Sequence, residues 1–177
     1  MDYLPLFHNL KGRRIVVVGG GEIALRKVRL VQQASALITI IAKDFCPDLL
    51  EMDKADKEHE CNGLELITAG YEHHHLQKYP DTVMVIAATN DRDLNRLVSE
   101  HAQAANMLSN VVDDPGFSTV IFPSIVDRSP IQIAISSGGD APVLVRLLRT
   151  KFEALLPAGM AKLGSLAGSF RERVKAK

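Results

Sequence analysis

Arg14-Ile15-Val16-Val17-Val18-Gly19-Gly20-Gly21-Glu22-Ile23-Ala24 is the stretch that decides the fold. A β-branched apolar run, suited to a buried strand, enters three glycines and then the first turn of an amphipathic helix. Gly19 and Gly21 take the first two glycine places of G-x-G-x-x-G/A, and Ala24 takes the third. The first glycine permits the tight turn, and the second lets backbone N–H groups approach a phosphate. The small third residue lets the helix pack closely on the strand. The helix N-terminus adds N–H donors and partial positive charge. This combination predicts a βαβ unit that holds the pyrophosphate of a dinucleotide.

Ala36-Leu37-Ile38-Thr39-Ile40-Ile41-Ala42 reads as the next strand, followed by Lys43-Asp44. Asp44 lies about twenty residues beyond the glycines, where a carboxylate can accept hydrogen bonds from an adenosine ribose. That favours NAD over NADP. Lys43 works the other way, because a cation there can tolerate a 2′-phosphate. Asp44 also has a plainer reading, as the cap of the turn before Pro47.

Asp48 to His59 is strongly charged and reads as a helix or loop over the sheet edge, and Leu64 to Thr68 alternates as a strand. Thr82 to Ala88 is a continuous apolar run, the signature of a parallel strand buried on both faces. Thr89-Asn90-Asp91 ends it, and Asn90 or Asp91 can cap the helix that carries Leu94, Leu97, Val98 and Ala102. Leu108 to Val112 supplies the last strand. Right-handed crossovers order these strands 3-2-1-4-5, an α/β sheet of Rossmann type spanning residues 1–113. Its carboxyl ends bring Gly19–Ile23, Thr89–Asp91 and Asp113–Asp114 to one crevice.

From Asp113 the pattern changes. Asp113-Asp114-Pro115-Gly116 is a turn, and Ser118 to Pro123 reads as a strand. Asp127-Arg128-Ser129-Pro130 turns the chain, and Ile131 to Ser136 alternates. Such short antiparallel strands are marginal alone, so residues 114–140 are expected to pair with a second subunit in a homodimer. Ser136-Ser137-Gly138-Gly139-Asp140 then leads to a helix near Ala141-Pro142. That turn is either a carboxylate or phosphate cradle or a simple helix cap. Val143, Leu144, Leu147, Leu148 and Phe152 form an apolar face expected in the core. Pro157 stops this helix, and a last one is expected from Gly159 to Lys177, making 141–177 a helical segment. Arg146, Arg149, Arg171, Arg173 and Lys175 place positive charge on it, either solvated or facing an acidic ligand. No C-cap signal closes the chain, which leaves open a continuation beyond Lys177.

The chain has 177 residues, with Lys plus Arg and Asp plus Glu each numbering 21. No global field therefore attracts nucleic acid or an anionic membrane. Tryptophan is absent, which argues against stacking platforms for single strands. Met1-Asp2-Tyr3-Leu4-Pro5 lacks a signal-peptide pattern and no apolar run reaches membrane-spanning length, so a cytoplasmic protein is expected. Cys46 and Cys61 lack C-x-x-C spacing and read as ordinary thiols. His59-Glu60-Cys61 and His73-His74-His75 invite a metal reading. Three consecutive histidines cannot all face one ion from regular structure, so polar loops are expected instead.

The whole pattern resembles the precorrin-2 dehydrogenase/sirohydrochlorin ferrochelatase family, the N-terminal part of bacterial siroheme synthases. The resemblance rests on Asp2 to Phe7, on Val18-Gly19-Gly20-Gly21 with Ala24, Arg26 and Lys27, and on Ala87 to Asp91. It extends through Asn110-Val111-Val112-Asp113, Phe122 to Pro130, and Ser136-Ser137-Gly138-Gly139. It implies that NAD⁺ removes hydride from precorrin-2, a reduced tetrapyrrole bearing many carboxylates, to give sirohydrochlorin. The same site can then take ferrous iron as a substrate to give siroheme.

The resemblance also implies roles for individual residues. Asp113, read as ending a central strand, is the key carboxylate; it can take the proton lost with the hydride, accept pyrrole N–H protons, or hold iron transiently. A turn-forming role for Asp113 stays open, and Asp114 is its nearest competitor. Glu22, Ile23, Lys43 and Asp44 fall on NAD, with Thr89 and Asn90 beside it. Ser136 to Gly139 fall on the substrate, and Ser137 on a serine that can carry phosphate. No methyltransferase module lies in these residues. Two other readings remain: a non-catalytic NAD(H)-sensing module, and a dehydrogenase that lacks chelatase activity.

Overall fold

Runs of β-branched sequence become strands, and the polar stretches between them become helices that close the sheet on both sides. The computed structural model describes residues 2–59, 61 and 63–175. They form two units: residues 5–121, and a second made of residues 2–4 with 122–175. Glu60 lies outside the described residues, as do the side chains of Arg173 and Lys175.

In the first unit β1 (Arg14–Val18), β2 (Leu37–Ala42), β3 (Leu64–Thr68), β4 (Thr82–Ala87) and β5 (Leu108–Val111) make a parallel sheet of order β3-β2-β1-β4-β5. The crossovers are α1 (Glu22–Gln32), α2 (Pro47–Glu58), α3 (His74–Lys78) and α4 (Arg92–Ala104). The strand order, α1 and α4 follow the sequence reading, and Asp48 to His59, read as a helix or loop, is largely the helix α2. α3 departs from it: His74 and His75, expected in a polar loop, open a helix, because Leu76 and His75 are buried against the sheet. Side chains alternate across the pleat. Val16, Val18, Ile41, Val85, Ala87 and Val111 share one core cluster with Leu76 of α3 and Val98 and Ala102 of α4. The intervening Ile15, Val17, Ile40 and Ile86 turn to the other face and are fully buried. There α1 buries Ala24, Leu25, Val28 and Val31, because right-handed crossovers made before the strand order reverses after β3 lie on one face and those made after it on the other.

Two details of this unit differ from expectation. Asn95 and Ser99 are buried in α4, whereas Leu97, read as part of its apolar face, is 43% exposed. Residues 118–123 are not a strand. The N–H groups of Thr119 and Val120 donate to the Ser109 carbonyl at 2.8 and 3.1 Å. The Thr119 and Ser118 hydroxyls in turn accept from the Ser109 and Val111 N–H groups at 2.8 Å each. Hydroxyls thus replace a ladder along β5, an edge strand rather than a central one, and block further pairing there. That contact carries the first unit to residue 121, eight residues past the boundary read at 113.

The second unit pairs β6 (Ser124–Arg128) with β7 (Ile131–Ile135) as an antiparallel hairpin. At its turn the Asp127 carboxylate accepts the Ser129 N–H and hydroxyl at 2.8 Å each. Two helices follow, α5 (Pro142–Leu155) and α6 (Gly159–Lys175). Arg128 Nε donates to the Leu156 carbonyl at 2.9 Å and ties the hairpin to the end of α5. The apolar face of α5 was expected in the core, yet this helix buries none of its residues. Val143, Leu144 and Leu147 are all more than half exposed, as are Leu163, Leu166 and Phe170 on α6. A hairpin of two five-residue strands offers too little surface to cover both helices.

Candidate nucleotide and catalytic site

The two ends of the parallel sheet are built differently. At the amino ends a polar network crosses the strands: Arg14 donates to Thr39 Oγ1 at 2.9 Å and to Asp81 at 3.2 Å. The Tyr79 hydroxyl donates to Glu65 at 2.9 Å, and the Arg14 guanidinium lies 4.7 Å from the Tyr79 ring centre. At the carboxyl ends the chain leaves a cleft, the place where open α/β sheets bind ligands.

The glycine loop builds the floor of this cleft. Gly19 has φ +123°, and a Cβ on it would overlap the Ala88 carbonyl. Gly20 tolerates no side chain either, because a Cβ would overlap the Asp44 carbonyl and stand 2.9 Å from Ala42 Cβ. Its own carbonyl accepts the Cys46 N–H at 2.8 Å, pinning the loop to the turn after β2. Gly21 is different. It N-caps α1 with no capping side chain, and a Cβ there would meet nothing within 4 Å. Open space in front of an uncapped helix N-terminus fits a phosphate, so the residues present suit a dinucleotide. Sequence reading gave Gly20 no role; its need for glycine comes from a carbonyl 24 residues away.

A cavity of about 600 Å³ is lined by the glycines, Glu22, Ile23, Lys43, Asp44, Tyr71, Thr89 and Asn90. A second, of about 420 Å³, is lined by Ile23, Thr89, Asn90, Asp113 and Asp114. Ile23, Ala88, Thr89 and Asn90 wall both, so the cavities adjoin. All the cofactor residues read from sequence therefore surround one cleft, with the catalytic candidate at its far end. Its rim is held by Asn95, whose Oδ1 accepts the Thr89 N–H at 3.0 Å and hydroxyl at 2.7 Å. Asp91, not Asn90, caps α4, accepting the Leu94 N–H at 3.0 Å.

The two candidate carboxylates are set apart. Asp114 accepts from Arg92 at 3.3 Å. Asp113 is exposed and has φ +59°, a left-handed conformation that costs a non-glycine residue energy. Lys27 of α1 feels its charge: burial lowers the Lys27 ammonium below the usual lysine range, and the Asp113 carboxylate pulls it back up.

Tyr71 lines the larger cavity together with Lys43 and Asp44. Burial pushes its phenol up to about 12, and the hydroxyl lies 3.1 Å from His101 Nδ1. His101 also meets the His73 ring at 4.3 Å between centres. His75 is buried, with Nδ1 2.9 Å from the Glu72 N–H, and stacks on His74. Among the described residues no group of His, Cys, Asp or Glu has the arrangement of a metal site. No helix among them is long and apolar enough to cross a membrane.

Ser136, Ser137, Gly138 and Gly139 lie in the second unit, between β7 and α5. Ser136 Oγ accepts the Gly138 N–H at 3.1 Å, and Ser137 Oγ accepts the Ala141 N–H at 3.0 Å. Gly138 and Gly139 take φ values of +70° and +110°. The hydroxyls shape the turn themselves, while Ala141, the N-cap of α5, has no capping side chain.

Residues 6–124 match the family model described as NAD(P)-binding. The chain belongs to this NAD(P)-binding family. Residues 128–155 match the model for the sirohaem biosynthesis protein central region. Siroheme synthase of Stutzerimonas stutzeri is 49% identical over all 177 residues, which span 36% of that protein. Siroheme synthases of Pseudomonas entomophila and Pseudomonas putida are each 50% identical over 99% of the chain and 36% of their own length. The chain thus spans about a third of the curated relatives it matches. Among solved structures, SirC, a precorrin-2 dehydrogenase, is 22% identical with a TM-score of 0.73. The match covers 92% of this chain and 76% of that one, and it shows the same fold.

Proposed function

We propose that the chain oxidises precorrin-2 to sirohydrochlorin with NAD⁺. The observation that carries this reading is the adjoining pair of cavities, one built around the glycine loop and the other around Asp113. NAD⁺, when bound, supplies the hydride acceptor. Gly21, Glu22 and Ile23 would offer N–H groups at the head of α1 to its phosphates, and Asp44 would accept from its ribose, which favours NAD over NADP. Thr89, held by Asn95, would support the reacting end. The Asp113 carboxylate would accept the proton that leaves precorrin-2 with the hydride. Its position on an exposed turn at the cavity wall lets that proton pass on to water.

Ferrous iron is a second substrate in this reading. An aspartate oxygen is a hard ligand that can hold the metal while pyrrole N–H protons depart. Ser136 to Gly139 are assigned to substrate carboxylates, and phosphate on Ser137 would weaken tetrapyrrole binding by repulsion. A Ser137→Asp variant that binds tetrapyrrole as well as wild type would sink that assignment. A homodimer through the second unit belongs to the same reading, supported by the uncovered apolar side chains of α5 and α6. Sedimentation as a monomer at micromolar concentration would count against it.

The deciding experiment is anaerobic oxidation of precorrin-2 with NAD⁺, followed by NADH absorbance, for wild type and Asp113→Asn. Turnover by wild type alone, with NAD⁺ bound by both, supports the reading. A wild type that binds NAD⁺ and never turns over favours the NAD(H)-sensing alternative.

A further inference from the structure

The cavity around Asp113 carries two arginines that neither the dinucleotide nor the proton step uses. Arg92 and Arg96 both line it. They stand four residues apart on α4 and so share one face of the helix. Arg92 is the first residue of α4, where the positive end of the helix dipole disfavours a cation. Helix stability therefore does not account for it. Its side chain is 86% exposed and reaches Asp114 at 3.3 Å. Arg96 lays its guanidinium 4.7 Å from the Phe117 ring centre, and its Nε donates to Glu100 at 2.9 Å.

Both ion pairs sit at the surface, where such pairs contribute little. Either guanidinium can exchange its present partner for a ligand carboxylate at small cost. Stacking on Phe117 orients the Arg96 plane before any ligand arrives, which lowers the entropy lost on binding. The same wall holds Asp113 and Asp114. A polycarboxylate approaching these two aspartates would be repelled unless cations offset them. The phosphates of a dinucleotide have their own place at Gly21, in the adjoining cavity.

We propose that Arg92 and Arg96 form a fork that binds peripheral carboxylates of the tetrapyrrole and sets its orientation over Asp113. The inference rests on the function proposed above and names the substrate contacts of that same site. Guanidinium groups suit the task because each can grip a carboxylate with two parallel hydrogen bonds.

The test titrates sirohydrochlorin, which binds without turnover, into the full chain, alongside kinetics with precorrin-2. In the Arg92→Ala/Arg96→Ala double variant the Kd for sirohydrochlorin and the KM for precorrin-2 should each rise about tenfold or more. The Kd for NAD⁺ and the melting temperature should stay close to wild type. A double lysine variant should recover only part of the loss, because lysine lacks the fork. A double alanine variant that binds sirohydrochlorin as tightly as wild type overturns the inference alone. One that loses NAD⁺ in equal measure also overturns it, and reassigns the arginines to the dinucleotide. A wild type that binds no tetrapyrrole removes the functional reading and this inference together.

Discussion

Asn95 and Thr89 are joined through every polar group that Asn95 can offer: its Oδ1 accepts the Thr89 N–H and hydroxyl, and its Nδ2 donates to the Thr89 carbonyl at 2.9 Å. Asn95 is 5% exposed; once it is gone the Thr89 N–H and carbonyl lose this partner, while the Thr89 hydroxyl keeps its contacts with Asp91. Asn95→Ala should cost about 1–3 kcal/mol, since it removes three hydrogen bonds to half-buried Thr89. It should also weaken NAD⁺ binding, because Thr89 walls both cavities. Urea unfolding and NAD⁺ titration check the two effects, and stability within error of wild type would refute the clamp.

Neighbouring glycines should answer differently to the same substitution. Gly20→Ala drives a methyl group into the Asp44 carbonyl, and forcing that loop apart should cost about 1–3 kcal/mol. Gly21→Ala meets open space, so its stability should stay within about 0.5 kcal/mol of wild type. Its methyl group would stand where a phosphate must approach, and NAD⁺ affinity should fall about tenfold or more. If Gly21→Ala binds NAD⁺ normally, the pyrophosphate does not lie at the head of α1.

Much of this was legible in the sequence, because parallel strands buried on both faces announce themselves as continuous apolar runs. Thr82 to Ala88 and Ala36 to Ala42 could hardly be anything else beside a Gly19–Gly21 turn, and strand order followed from crossover handedness. What could not be read depends on distant partners. Ser118 to Pro123 looks like a strand locally, but its hydroxyls cap β5 instead. The spacing of Val143, Leu144 and Leu147 correctly marks an apolar face, yet periodicity says nothing of what covers it. Gly20 sits at a place where the glycine pattern accepts any residue, and only the Asp44 carbonyl makes it special. Asn95 interrupts an apolar helix face, a signal that a buried polar clamp was present.

Asp113 offers a test of whether backbone strain is kept for function. Its φ of +59° penalises any residue with a Cβ, whereas glycine adopts it freely. Asp113→Gly and Asp113→Ala both remove the carboxylate and its pull on Lys27, so their difference isolates the backbone. The glycine variant should be more stable than the alanine variant by about 1–2 kcal/mol, and neither should oxidise precorrin-2. Differential scanning calorimetry beside the NADH assay measures both. Equal stability would mean that the turn relaxes, and turnover by either variant would remove Asp113 from the reaction.

The Tyr71–His101 contact should confine full stability to a pH window. Burial lifts the Tyr71 phenol from 10.0 to about 12 in the folded chain. A raised folded pKa means that its contribution is complete below 10 and is lost as pH climbs toward 12. His101 is lowered from 6.5, first by burial and then by the charge of His73, with Glu100 opposing. A lowered histidine contributes fully above 6.5, and that contribution is lost as pH falls through its folded value. Protonation at Nδ1 also removes the acceptor that the Tyr71 hydroxyl faces at 3.1 Å. Urea midpoints for wild type should therefore decline at both ends of the range. Tyr71→Phe should start lower at neutral pH, by about 1 kcal/mol for the lost hydrogen bond, and then fall less steeply above pH 10. Parallel curves for the two proteins above pH 10 would show that Tyr71 ionises as readily in the folded chain as in the unfolded one.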